Sequence, residues 1–220
     1  MSFDASYAEP RAAGRDTAAV FAQTMFLVAA ALGFCVLGTV IGRDLSTGAA
    51  RACSFAGLGM LLAQGFLGGR IPALRVGSFA IGWLCALALL IGLGLGPFVA
   101  YVATVDPSGL TTAIGGTALT VLGMAALGLA LSKDLAGWMR PLSYAVFAAV
   151  VISLVALVFG GLGALNPLLS LLIFGLSALL ILVDFNYLRR HATADDAVWL
   201  ATGIFVSIVN IFITLLNLTR

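Results

Sequence analysis

Charge is what this sequence has least of. Only 9% of its 220 residues are Asp, Glu, Lys or Arg, while 62% are hydrophobic; soluble domains carry about 25% charge. The mean hydropathy is +1.15. No water-soluble fold hides that much apolar surface, so the chain belongs in a bilayer. Its net charge of +2 is too small and too scattered to serve a nucleic-acid surface. Lysine occurs once, at Lys133 in a connection between apolar runs, which excludes a retinal Schiff base inside a span. Histidine also occurs once, at His191 in a polar connection, and reads there as a solvated surface residue. A single histidine outside the spans cannot build a membrane haem pair, an HExxH zinc site or an intramembrane Ser/His dyad. Cys35, Cys53 and Cys85 sit in apolar stretches with no CxxC spacing, as small buried hydrophobes do. Gly92-Leu93-Gly94-Leu95-Gly96 falls inside an apolar run and lacks the strand and turn of a phosphate loop. These absences argue against an enzyme and call for no cofactor.

What is present is a series of long apolar runs. A membrane-spanning helix needs about 20 apolar residues, and seven stretches qualify, near 18–41, 50–69, 77–101, 111–131, 141–160, 167–188 and 197–219. The first run exceeds the roughly 7–15 residues of a signal-peptide core, so it reads as a retained span after a polar segment, 1–17. The breaks carry turn chemistry: Gly42-Arg43-Asp44, Gly68-Gly69-Arg70-Ile71-Pro72, Asp106-Pro107-Ser108-Gly109, Lys133-Asp134 with Arg140-Pro141, Gly160 to Gly163 with Asn166-Pro167, and Arg189 to Asp196. Short connections leave one all-α membrane domain, 18–220, of seven transmembrane helices.

Lys and Arg in short loops set orientation. With seven spans, one side holds eight: Arg11, Arg15, Arg70, Arg75, Lys133, Arg140, Arg189 and Arg190. The other holds three: Arg43, Arg51 and Arg220. The N-terminus is therefore expected in the cytoplasm. A six-span arrangement with a re-entrant last segment moves only Arg220 and stays open.

Two patterns concern packing. Gly38/Gly42, Gly65/Gly69 and Gly92/Gly96 have the GxxxG spacing that lets helices approach closely. In the last run Gly203, Ser207, Asn210, Thr214 and Asn217 recur at helical steps and share one face. Lipid cannot hydrogen-bond that face, so it must meet protein or water. A last helix surrounded by the other six satisfies this most simply. The stripe is then either interhelical polar glue, packed dry, or the wall of a hydrated path.

The outstanding residue is Asp184, which ends an uncharged run from Leu168 to Val183. An ionisable side chain at membrane depth is expensive and marks a functional site by default. It lies about 7–8 Å inside the end marked by Arg189 and Arg190, at 1.5 Å per residue. Arg70, ending the second span on the same side, is the first candidate charge partner; Arg189 points off the Asp184 face. Asp184 either bonds a loop or backbone group and fixes packing, or serves as a proton-sensitive latch or cation ligand on a leak path.

Ile181-Leu182-Val183-Asp184-Phe185-Asn186, a short polar loop, and Ala201 to Phe212 together resemble the C-terminal signature of the Bax inhibitor-1 family, the transmembrane Bax inhibitor motif proteins. Leu131-Ser132-Lys133-Asp134-Leu135 is similar to that family's basic-Asp-Leu turn. The resemblance implies seven helices with the C-terminal helix central. It implies a pH-sensitive calcium leak or, in bacteria, a modulator of a membrane protease, in the inner (cytoplasmic) membrane. In the leak scheme two aspartates on the last two helices share a proton and pair with an arginine on the second. Asp184 matches the first; Ser207 stands where the second would be. Calcium prefers several oxygens and usually more than one carboxylate, so Asp184 with Ser207, Asn210 and Thr214 would line an ion path yet hold calcium weakly. The partners expected are the lipid bilayer and, on the regulator reading, another membrane protein such as a protease.

Overall fold

The computed structural model describes the backbone of residues 9–158 and 166–218, with side chains from 17 to 153 and from 167 to 218. The expected turn at Gly160 to Gly163, the side chains of Arg11 and Arg15, and Arg220 lie outside the described residues. Among the described residues, seven helices are long and apolar enough to cross a membrane. They are α1 (Glu9–Gly42), α2 (Thr47–Leu67), α3 (Ser78–Val105), α4 (Pro107–Ala130), α5 (Ala136–Val158), α6 (Asn166–Arg190) and α7 (Ala197–Leu218). Inside hydrocarbon a helix satisfies its own backbone, and its hydroxyls do likewise: Thr24 donates to the Val20 carbonyl at 2.8 Å and Thr117 to that of Ala113 at 2.7 Å.

Three ends differ from the sequence reading, two of them for a visible local reason. The α3–α4 break is a single residue, because the Asp106 side chain accepts the Gly109 N–H at 2.9 Å and Pro107 stands at the first helical position, where a missing N–H costs nothing. Helix α5 starts before Pro141, which lies inside it. There the Asp134 carboxylate takes the Ala136 N–H at 3.0 Å and opens the helix early. Helix α1 begins at Glu9, well ahead of the apolar run.

Helix α7 is the centre of the bundle. It packs against α1, α3, α4 and α6, and Gln64 of α2 bonds its Thr202. Of its most apolar stretch 61% is buried, against 11% to 44% in the other six spans. Phe205, Ile211 and Leu216 are sealed completely. It is a continuous helix of 22 residues, about 33 Å long and sufficient to span.

Helices α1 and α3 form the closest pair, and glycine makes that possible. A Cβ on Gly38 would collide with the Leu89 carbonyl, one on Gly92 with Cys35, and one on Gly96 with Gly42. Two of the three GxxxG pairs are thus each other's partners. Gly65 and Gly69 face open space and carry no such contact. Gly92→Ala is expected to push α1 and α3 apart and cost about 1–3 kcal/mol, the usual penalty of overpacking. Gly65→Ala should be neutral within about 0.5 kcal/mol. Unfolding of the two variants in one detergent checks this; equal stabilities would refute the close contact.

Candidate functional site

Helices α6 and α7 are joined by residues 191–196 alone, so they run antiparallel as neighbours. Asp184 is 3% exposed. Its Oδ2 lies 3.4 Å from where a Cβ of Gly203 would stand, which fixes the register of the seam. Ser207 is one turn beyond Gly203. Counting from that contact, Ser177 on α6 comes level with Asn210 on α7, about 10 Å further from the α6–α7 turn.

These side chains share an uncommon condition. Asp184 Oδ2, Ser207 Oγ, Ser177 Oγ and Asn210 Nδ2 are buried without a protein hydrogen-bond partner. Thr24, Thr117 and Thr202 each donate to the carbonyl four residues back. The same recourse is open to Ser177 and Ser207, and neither takes it. An unsatisfied buried polar atom costs about 1–3 kcal/mol, so four along one seam weigh against simple glue.

The stripe expected on α7 is thus assembled, and it is closed. Ser207 is 1% and Thr214 3% exposed; Asn210 is half-buried, and Asn217 is exposed at the helix end. Arg70 does not take the place expected of it. Helix α2 ends at Leu67, and the backbone N–H groups of Arg70 and Ile71 both turn back to the Leu67 carbonyl. That leaves Arg70 exposed, and no ion pair joins it to Asp184 among the described residues. Arg189 donates to the Leu131 carbonyl at 2.6 Å, away from the seam. His191 is exposed as expected but not free, since it pairs with Asp134 at 2.8 Å.

The basic side chain of the α2–α3 turn that does engage the bundle is Arg75. It reaches Asp196 at 3.4 Å and lies 5.3 Å over the Trp199 ring. Gln64, which the sequence reading did not single out, is only 1% exposed. Its Nε2 donates to Thr202 Oγ1 at 3.2 Å and to the Leu74 carbonyl at 3.4 Å. Both neighbours must accept, because Thr202 spends its proton on Val198, and this settles which end of the amide faces them. An amide three-quarters along an apolar run was the available signal for Gln64. For Arg75 there was none.

Asn186 is completely buried and clasps the α4–α5 turn. Its Nδ2 donates to the Gly128, Leu131 and Lys133 carbonyls, and its Oδ1 accepts the Leu135 N–H at 3.0 Å. The turn so held carries Asp134, whose carboxyl is kept below its usual range by the Ala136 N–H and then by His191. Among the described residues no three His, Cys, Asp or Glu side chains gather as a metal site would require, and Asp184 stands as a lone acid.

A family profile described as "Inhibitor of apoptosis-promoting Bax1" matches residues 17–220. No curated protein matches the chain closely enough to count as a relative.

Two outcomes follow for the clasp. Asn186→Ala strands several buried backbone groups and should lower stability by about 1–3 kcal/mol, read from detergent unfolding. Asp134 has a depressed pKa when folded, so its contribution is present above the ordinary carboxylate value and lost as pH falls through the lowered one. The Tm gap between wild type and Asp134→Asn should therefore close as pH drops below about 4. A gap that stays constant would show that the carboxylate does not stabilise the turn.

Proposed function

The chain belongs to the Bax inhibitor-1 family, and from that premise we propose that it is a pH-sensitive cation leak whose path is the α6–α7 seam, closed in this conformation. The observation that carries the reading is the run of unpartnered polar atoms from Asp184 to Asn210. Water entering the seam would satisfy all four, and a cation would satisfy the oxygen atoms of Asp184, Ser177 and Ser207; no protein group does so in the closed bundle. Asp184 supplies the only charge among them. Proton uptake or release there switches the seam between neutral and singly negative, which is the physical basis of pH sensitivity. Thr214 continues the path towards the far end.

Calcium preference is weak on this reading. A calcium ion takes six to eight oxygens, usually with more than one carboxylate, and the seam offers one carboxylate, two serine hydroxyls and an amide. Monovalent cations need less charge and fit better. On this reading the membrane is a bacterial inner membrane and the N-terminus lies on its cytoplasmic side. The α2–α3, α4–α5 and α6–α7 turns meet at one end of the bundle through Arg75–Asp196 and Asp134–His191. Arg70, Lys133, Arg140, Arg189 and Arg190 gather there too, whereas Arg43 and Arg51 mark the other end.

A second reading rests on the dry packing of Ser207 and Thr214: a non-conducting regulator that binds another membrane protein, such as a membrane protease, through its outer helices. Liposome flux separates the two. Wild type should pass potassium across roughly pH 5–8 with a pH dependence that Asp184→Asn abolishes, as expected when a titrating group is lost. Ser207→Asp supplies a second acid and should raise the calcium-to-potassium flux ratio about tenfold, the order that 1.4 kcal/mol of added binding provides. Flux no greater than in empty liposomes at every pH would overturn the leak and leave the regulator.

A further inference from the structure

At its turn end the α6–α7 seam meets one basic side chain from another connection, Arg75. Tyr187 lies one turn above Asp184 on α6, and Trp199 lies one turn above Gly203 on α7, by the helical step. These two residues form the layer next to the turn end. Arg75 comes into that layer from a third element. Its guanidinium sits over the Trp199 ring, bonds Asp196 at the foot of α7 and is within electrostatic reach of Tyr187. Its Nε is buried without a protein partner, while the side chain as a whole stays 37% exposed, so the head group lies across the turn end with only its inner edge covered. Its stem passes over Gly68, with Cγ 3.5 Å from where a Cβ would stand.

The segment that carries Arg75 is gripped at two points and bounded by glycine. On one side Gln64 holds the Leu74 carbonyl, and Leu74 is 5% exposed. On the other, Asp196 is fixed in place by the N–H and hydroxyl of Thr193 at 3.1 and 2.9 Å. Between the two grips stands Arg75 itself, which caps the short 3-10 turn Pro72–Leu74. Glycines bound the segment: Gly68 and Gly69 at the end of α2, and Gly77, whose φ of 90° belongs to the region glycine enters most easily. Such positions absorb the backbone change of a hinged lid.

We propose that Arg75 is the stopper of the seam: seated between Tyr187, Asp196 and Trp199 it covers the level of Asp184 and Gly203, and withdrawn with the Pro72–Leu74 turn it uncovers them. Its positive charge at the mouth also opposes an approaching cation. The inference deepens the leak reading and rests on it for its purpose, but the cover itself is tested without ion flux. Arg75 acts through access to Asp184 and is a positioning residue.

The test uses the full chain in nanodiscs, open to reagent on both faces, with Cys35, Cys53 and Cys85 replaced by Ala. Ser207→Cys reports the seam, and Ala88→Cys, on α3 and wholly buried, reports general loosening. A charged methanethiosulfonate reagent should label the Ser207→Cys thiol slowly. Adding Arg75→Gln should speed it about tenfold, the order expected for losing one ion pair and one cation–π contact. Asp196→Asn, which weakens the seat from the other side, should act in the same direction. Neither substitution should speed labelling of the Ala88→Cys thiol. Unchanged rates at Ser207→Cys in both variants would overturn the stopper, as would equal acceleration of both reporters. Faster seam labelling without ion flux in any variant would sink the leak reading and leave the stopper standing. Flux in wild type with no response to either substitution would sink the stopper alone.

Discussion

Hydrocarbon offers no hydrogen bonds, and the rest of this structure depends on that constraint. Every polar group carried into the bilayer must find a protein partner or remain at a cost. The seven helices settle their backbones internally, and the hydroxyls of Thr24, Thr117 and Thr202 borrow a carbonyl from their own helix. Asn186 goes further and satisfies a whole turn of another hairpin. Against that background the unpartnered atoms of Asp184, Ser177, Ser207 and Asn210 fall along one helix–helix seam, while those of Gln64, Arg75 and Trp83 lie elsewhere.

Close helix contact and polar exception are linked. Glycine lets α1 and α3 touch backbone to backbone, and Gly203 on α7 stands beside the Asp184 carboxylate without crowding it. A side chain there would meet Asp184 Oδ2 at contact distance. The central position of α7 then follows: its polar stripe has no place on a lipid-facing surface, and only a helix ringed by others can keep it. The turn end is closed by electrostatics, with Arg75, Asp196, Asp134 and His191 tying three connections together.

Much of this was legible in the sequence. The seven spans were countable from hydropathy. The central last helix followed from the step of Gly203, Ser207, Asn210 and Thr214. Asp184 announced itself by standing alone after an uncharged run. The residues that escaped were those whose meaning lies in a neighbour. Gln64 is a lone amide in its run until Thr202 is placed beside it. Arg75 and Arg70 are interchangeable as charges in one loop; the end of α2 at Leu67 turns the first inward and the second out.

The sequence by itself determined the solvent, the number of helices, the family resemblance and the one acid that follows a long uncharged run, because each depends on composition or on spacing along one chain. Which glycine pairs touch, which arginine enters the bundle, and which hydroxyls go unpaired were decided only by the tertiary structure. Those facts depend on register between helices far apart in sequence, and a period read along one helix carries no information about what stands opposite it.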